Sequence, residues 1–181
     1  MAALTSQLLD QSRPLSDAAA PTDLNALVRR VVTLAEQKLA ARGIRTEMEL
    51  DAALPAVTIH PEAIQQVLAN LVDNAGDAMP EGGRLRVASR SLADAVEVTV
   101  EDTGSGISES DLPHIFDAFY TTKPTVAGVG LGLFVSEGIV RGHRGQLTVA
   151  SEVGAGSRFT VRLPRETLDE TLAQETESAA A

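Results

Sequence analysis

Hydrophobic and polar positions along the chain follow two different periods, and each period predicts its own kind of element. Strands are predicted where apolar and polar residues alternate, at 44–50, 84–90, 95–102, 145–151 and 157–164, with a short strand or bridge at 56–59. Helices are predicted where apolar residues recur every three or four positions, at about 22–43, 61–79 and 130–141. This order of elements predicts an α+β fold, a two-layer α/β sandwich in which one mixed sheet carries helices on one face.

Two of the predicted helices have well-marked stripes. The first follows the capping residues Thr22 and Asp23 and ends near Gly43, and its predicted apolar stripe comprises Leu24, Leu27, Val28, Val31, Leu34, Ala35 and Leu39. The second begins at His60-Pro61, and its apolar stripe comprises Ile64, Val67, Leu68, Leu71, Ala75 and Met79. Beside that stripe runs a polar one, formed by Gln66, Asn70, Asn74 and Asp77.

The two ends of the chain differ in composition from the segment between them. Residues 1–12 carry leucines at helical spacing but are too few to form a stable helix alone, so we interpret them as the end of a longer helix. Residues 13–21 contain Ala, Pro and Ser and are interpreted as a linker. The domain then spans 22–164, and the acidic tail 165–181 is expected to be disordered.

Composition and charge restrict the classes of function. The 181 residues carry a formal net charge of −10, which argues against a nucleic acid or an anionic membrane as partner, because either would require a basic patch. An anionic small ligand is still possible, because backbone amides and a metal ion neutralise phosphates locally. The chain has no cysteine and therefore no disulfide, which fits a reducing compartment. It also has no apolar run near the roughly 20 residues of a membrane span. We therefore expect a cytoplasmic protein with no nucleic-acid partner and no membrane contact.

The paired asparagines of the second helix are the first candidate site. Asn70 and Asn74 lie four residues apart, and Asp77 follows on the same side. Asparagine is an indifferent helix former, and an amide buried without a partner costs about 1–3 kcal/mol. The polar stripe therefore predicts a ligand that these side chains meet.

Asp102, at the end of the strand 95–102, is the second candidate, and Gly104 and Gly106 follow it. A carboxylate beside flexible backbone suits a loop that accepts a hydrogen bond from a ligand, for example from the exocyclic amine of adenine. A plain Asp–Gly turn explains the same residues. Asp-Thr-Gly-Ser is also the tetrad of aspartic proteases, which need two such aspartates. The chain has one copy and several predicted helices, so a protease is disfavoured.

Three glycines stand near the start of the third predicted helix, namely Gly128, Gly130 and Gly132. Glycines at a helix N-terminus let phosphate oxygens approach backbone amides, although this spacing matches neither the dinucleotide fingerprint nor a Walker loop. The segment before them predicts a mobile lid with aromatic anchors and one cation, namely Phe116, Phe119, Tyr120 and Lys123. A pinned loop with a solvated lysine explains the same segment.

Together these segments resemble the ATP-binding catalytic domain of sensor histidine kinases, in the superfamily shared with DNA gyrase, MutL and the large heat-shock ATPases. The resemblance covers about residues 23–164 and rests on five motifs in the expected order. These are QQVLANLVDNAGDAM for the N box, EDTGSGI for the G1 box, IFDAFYTTK for the F box, GVGLGL for the G2 box and GAGSRFTV for the last glycine box. The resemblance implies the Bergerat-type fold of that superfamily, with a mobile ATP lid.

The same resemblance implies ATP (or ADP) and Mg²⁺ as ligands. Asn74 is implied as the principal metal ligand and Asn70 as its helper, because amide oxygens are hard ligands suited to Mg²⁺. Asp102 is implied to accept from the adenine amine, and Lys123 to reach the γ-phosphate, so that Asn70, Asn74 and Lys123 are the implied catalytic residues. The other implied nucleotide-binding residues are Asp77, Gly104, Gly106, Ile107, Phe116, Gly128, Val129, Gly130, Leu131, Gly132, Leu133 and Ser157.

Departures from the family pattern refine this expectation. Related hydrolytic ATPases carry a glutamate base where this chain has Asn70, which favours phosphoryl transfer to a protein side chain over attack by water. Val129 replaces the usual Thr of the G2 box, and the family often has Asp in place of His60 and Gly in place of Arg144. None of the histidines His60, His114 and His143 has the setting of a phosphoacceptor. The acceptor is therefore expected on a separate helical hairpin, and residues 1–12 resemble the end of its second helix.

We therefore expect a protein-histidine kinase domain that transfers the γ-phosphate of ATP to a histidine of that hairpin, for relay to the receiver domain of a response regulator. The fragment is expected to be monomeric and the full-length kinase to be a homodimer through its hairpin. Two alternatives share the same motifs. One is a nucleotide-binding interaction module, such as a degenerate kinase, and the other is a serine-phosphorylating relative of the anti-sigma type.

Overall fold

The computed structural model of the chain describes residues 19–121 and 130–165. Within these ranges the helices are α1 (Leu24–Ala41), α2 (Pro61–Ala78) and α3 (Gly132–Gly142). The strands are β1 (Ala20–Thr22), β2 (Ile44–Leu50), β3 (Val57–Ile59), β4 (Gly83–Ser91), β5 (Ala95–Asp102), β6 (Gln146–Glu152) and β7 (Gly156–Pro164). The predicted helices and strands are thus confirmed to within a few residues at their ends.

Five strands form one mixed sheet in the order β2-β4-β5-β7-β6. β2 runs parallel to β4, and the other neighbouring pairs are antiparallel. A separate two-stranded sheet joins β1 to β3. The predicted α+β architecture is confirmed, because the buried side chains of the large sheet lie on the face that packs against the helices.

The core lies between that sheet face and helix α2. Alternate residues of β5, Val96, Val98 and Val100, are almost fully buried there, as the period-two pattern predicts. On α2, Ile64 and Leu71 have no exposed surface, and burying a side chain of this size contributes about 1.5–3 kcal/mol. The apolar face of α2 is therefore fixed against the sheet, which leaves the asparagine face for other contacts.

Two helix ends have specific hydrogen bonds. Asp23 caps α1 by accepting from the backbone N–H of Ala26 at 3.1 Å. His60 precedes α2 without a capping bond from its own side chain. Its backbone N–H instead donates to Nε2 of His143 at 3.0 Å, and Nδ1 of His143 lies 2.8 Å from the carbonyl oxygen of Ile139. The buried His143 ring therefore ties the start of α2 to the end of α3.

Some predictions from the sequence differ from the structure or lie outside it. Leu34 is 72% exposed, so its assignment to the buried stripe of α1 is wrong. β1 begins at Ala20, inside the segment interpreted as a linker. The predicted helix end 1–12 and the tail after residue 165 lie outside the described residues. In the described parts of the chain, no helix has both the length and the apolar character needed to cross a bilayer.

Candidate functional site

A cavity of about 550 Å³ opens between α2, the start of α3 and the loop after β5. Much of the predicted site lines it, namely Asn70, Asn74, Asp77, Asp102, Gly106, Ile107, Gly130, Leu131, Gly132, Leu133 and Ser157. Other lining residues were not assigned from the sequence, among them Lys38, Asp73, Ser105, Asp111, Ile115, Thr121 and Phe159. Residues from distant parts of the chain, between Lys38 and Phe159, are thus brought to one concave surface, as ligand sites generally require.

Asp102 forms the buried end of the cavity. Its side chain is 4% exposed, and its Oδ1 accepts from the backbone N–H of Gly104 at 2.8 Å. Burial raises the pKa of Asp102 above its ordinary value, while hydrogen bonds from the backbone of Gly104 and Ser157 act in the opposite direction. A buried carboxylate at a cavity wall is suited to accept a hydrogen bond from a bound ligand.

Close backbone contacts require the two glycines after Asp102. A Cβ on Gly104 would collide with the carbonyl group of Ala78 at the end of α2. A Cβ on Gly106, which has φ +71°, would collide with the carbonyl group of Glu152 in β6. These glycines let the loop pass between α2 and the β6–β7 turn, and they hold the cavity wall in place. Gly104 itself does not line the cavity.

A serine cluster supports the same wall from the sheet side. Asp102 pairs with Ser157 across β5 and β7. The Ser157 hydroxyl lies 2.9 Å from that of Ser151, and Ser151 accepts from the backbone N–H of Ile107 at 2.8 Å. The loop that contains Ile107 is therefore held by β6, so that this end of the cavity is preformed.

The asparagine face of α2 forms the opposite wall. Asn70 is half-buried, and its Nδ2 donates to Oγ of Ser136 on α3 at 3.0 Å. Its Oδ1 faces Gly132, where a Cβ would collide with it. The amide oxygen thus lies beside the first residue of α3, where backbone N–H groups are available to an anion. Asn74 lines the cavity one turn further along α2.

The third wall comes from the two described ends of the predicted lid segment. The backbone N–H of Phe119 donates to the carbonyl of Gly130 at 2.9 Å, which joins the two described ends of that segment. Tyr120 donates its hydroxyl to Oδ1 of Asp111 at 2.7 Å, and both residues line the cavity. The hydrogen bond from Tyr120 lowers the pKa of Asp111. Phe116 packs against the core and does not line the cavity. Lys123, Gly128 and Val129 lie outside the described residues.

The charged residues of the cavity wall are mostly acidic, because Asp73, Asp77, Asp102 and Asp111 all contribute to it. Two of them pair with cations at the C-terminal end of α1. Nζ of Lys38 lies 2.6 Å from Oδ1 of Asp73, and Nη1 of Arg42 lies 3.1 Å from Oδ1 of Asp77. These pairs join residues 35 positions apart in the chain, so no local sequence signal predicts them.

Comparison with known proteins gives this cavity a context. The family model described as histidine kinase-, DNA gyrase B- and HSP90-like ATPase matches residues 59–167, which include α2, the loop after β5 and α3. The chain belongs to this ATPase family. ATP is accordingly the nucleotide of this family.

Several histidine kinases are similar to the chain. The sensor histidine kinase ZraS of Escherichia coli K12 is 36% identical over 161 residues, which are 89% of this chain and 34% of ZraS. The chain therefore spans about a third of the length of that curated relative. The solved catalytic domain of histidine kinase ThkA superposes with a TM-score of 0.76 at 31% identity, covering 83% of this chain and 97% of that domain. The structure of ThkA in complex with the response regulator protein TrrA gives a TM-score of 0.76 at 28% identity, covering 91% of this chain and 47% of that chain.

Proposed function

We propose that the chain is the catalytic domain of a sensor histidine kinase, which binds ATP with Mg²⁺ and donates the γ-phosphoryl group to a histidine on a separate helical hairpin. The observation that carries the proposal is one cavity with a buried carboxylate, Asp102, at one end and two amides, Asn70 and Asn74, along its side. Membership of the ATPase family supports ATP as the donor.

In this proposal Asp102 recognises the base. Adenine presents an exocyclic amine and guanine presents a carbonyl oxygen at the same position. A buried carboxylate accepts from the amine and repels the carbonyl, so the site favours ATP over GTP. The backbone donors of Gly104 and Ser157 orient the carboxylate before the nucleotide enters. This preorganisation lowers the cost of binding.

The α2 wall binds the phosphates in this proposal. The residues present suit a hard cation there, because Asn70 uses its amide nitrogen for Ser136 and so directs its oxygen toward the start of α3. Asn74 and Asn70 would hold Mg²⁺, which neutralises phosphate charge when bound. The N-terminus of α3 offers backbone N–H groups to phosphate oxygens beside them.

The proposed chemistry is transfer rather than hydrolysis. In the transfer step the bond between the γ-phosphorus and the bridging β–γ oxygen breaks, a bond forms from the γ-phosphorus to a histidine nitrogen, and ADP leaves. Such transfer depends mainly on positioning and charge neutralisation. Position 70 holds an asparagine bonded to Ser136, so it supplies no base for water at the place where hydrolytic relatives carry glutamate.

The partners follow from this chemistry. We propose that the acceptor histidine lies on the hairpin of the same full-length kinase, and that a response-regulator receiver domain takes the phosphoryl group from it. The similarity to ThkA, whose structure contains a response regulator protein, supports that relay. The reaction consumes ATP, so we propose the cytoplasm as its location.

The direct test is calorimetric titration with a non-hydrolysable ATP analogue, with and without Mg²⁺. Asn74→Ala is expected to remove most of the Mg²⁺-dependent part of the binding, because it removes the proposed principal ligand. Gln66→Ala is the matched control, since Gln66 is an exposed amide two turns earlier on the same helix. If Asn74→Ala binds the analogue with Mg²⁺ as tightly as the unaltered chain does, the proposed metal role is wrong.

A further inference from the structure

We infer that Lys38 of α1 is a phosphate-binding residue of this site and that Asp73 is its partner when no nucleotide is bound. The inference rests on the proposed function, because it concerns how the same cavity accepts a polyphosphate. Lys38 was not singled out by any sequence motif, and the chain separates it from Asn70 by 32 positions. The structure nevertheless places it on the cavity wall.

The charge of the cavity favours a cation near the phosphates. Within 19–121 and 130–165, Lys38 is the one basic residue that lines the cavity, against the four aspartates at positions 73, 77, 102 and 111. The whole chain carries a formal charge of −10. A nucleotide triphosphate that enters such a wall meets like charge, which is unfavourable unless cations compensate it. Lys38 is placed to supply part of that compensation.

The position of Lys38 along the cavity matches the phosphate end. Its partner Asp73 immediately precedes Asn74 on α2, whereas Asp102 lies near Ala78 at the end of that helix, where Ser105 donates to the Ala78 carbonyl at 3.0 Å. At about 1.5 Å per residue, Asp73 and Ala78 are separated by roughly 7.5 Å along the helix axis. Lys38 therefore lies beside the asparagines and away from the proposed base pocket.

The pairing with Asp73 is one that a phosphate can replace. The Lys38 side chain is 53% exposed and that of Asp73 is 57% exposed, and an ion pair this accessible contributes little to stability. A phosphate group carries more charge than one carboxylate and accepts several hydrogen bonds. The flexible lysine stem lets the ammonium group turn from Asp73 to the ligand without movement of the helices.

The test compares Mg²⁺–ATP, Mg²⁺–ADP and adenosine by calorimetric titration of the unaltered chain and of Lys38→Met. We expect Lys38→Met to weaken ATP and ADP by roughly tenfold, as for the loss of one charged hydrogen bond, and to leave adenosine unchanged. Lys38→Arg is expected to restore most of the affinity. Arg30→Gln is the charge control, because Arg30 is an exposed cation on the same helix, and it is expected to change none of the three affinities.

Asp73→Asn separates phosphate binding from a merely structural ion pair. This variant keeps Lys38 and removes its carboxylate partner, so ATP is expected to bind equally or more tightly. If Asp73→Asn weakens ATP as much as Lys38→Met does, or if Lys38→Met weakens adenosine as much as ATP, the inference is overturned. Equal ATP affinity in Lys38→Met and the unaltered chain overturns it as well, with the proposed function intact. Absence of any ATP binding by the unaltered chain overturns both.

Discussion

Asp102 gives the sharpest prediction about base recognition, through the substitution Asp102→Asn. Asp102 is 4% exposed, and its carboxylate already meets the backbone donors of Gly104 and Ser157. With the adenine amine it would meet three donors. An asparagine amide offers one acceptor oxygen, and its NH₂ group would have to face one of these donors.

The expected cost follows from that mismatch. A hydrogen bond to a charged group contributes about 1.5–3 kcal/mol, which corresponds to a loss of roughly 10- to 150-fold in ATP affinity. The unaltered chain is also expected to bind ATP more weakly as the pH falls through the raised pKa of Asp102, because protonation removes the negative charge and turns one of the two acceptor oxygens into a donor. Asp102→Asn should not show that pH dependence.

Titration calorimetry with ATP and GTP at several pH values measures these effects. Asp94→Asn is the matched control, because Asp94 is exposed and does not line the cavity. Its Oδ2 lies 2.9 Å from Nη2 of Arg162. Circular dichroism establishes that each variant is folded. ATP and GTP affinities that are similar in the unaltered chain, or an Asp102→Asn variant that keeps the preference for ATP, would refute the assignment of Asp102 to the base.

Two further predictions concern stability. A Cβ added to Gly138, in the middle of α3, would have no neighbour within 4 Å, so Gly138→Ala should raise the free energy of unfolding in urea by about 0.5–1 kcal/mol; a decrease would show that α3 needs this glycine. Burial lowers the pKa of His143 below its ordinary value of 6.5, so the stability that neutral His143 contributes is present above pH 6.5 and is lost as the pH falls through the lowered pKa. When Nε2 of His143 is protonated, it cannot accept the hydrogen bond from the backbone N–H of His60. Between pH 7.5 and 5, the unfolding free energy of His143→Gln should therefore fall less than that of the unaltered chain. An equal fall in both proteins would exclude His143 as the source of the pH dependence.

The strands could be predicted closely because one sheet face is buried and the other is solvated. Period-two alternation then follows directly from burial, as Val96, Val98 and Val100 show. Helix stripes are less exact, because the buried arc of a helix is broad and its edge is set by the neighbouring elements. Leu34 lies beyond that edge on α1 and is exposed.

The residues of the cavity could be predicted in part. The motifs located Asn70, Asn74 and Asp102 on the cavity wall, because each motif is local in the chain. The sequence did not predict why individual residues are required at their positions, because those requirements depend on contacts between distant segments. Gly106 is required by the backbone of Glu152, 46 positions later, and Lys38 reaches the cavity only because α1 packs beside α2. Sequence spacing alone does not predict such contacts.

Phosphoryl transfer in trans tests the central claim most directly. The chain is mixed with γ-labelled ATP, Mg²⁺ and a helical hairpin of its own kinase that carries the acceptor histidine, and acid-labile label is measured on both proteins. The proposed function predicts label on the hairpin histidine, little label on the chain alone, and loss of transfer in Asn74→Ala but not in Gln66→Ala. Strong labelling of His60, His114 or His143 in the isolated chain, or tight ATP binding with no label on the hairpin, would contradict it.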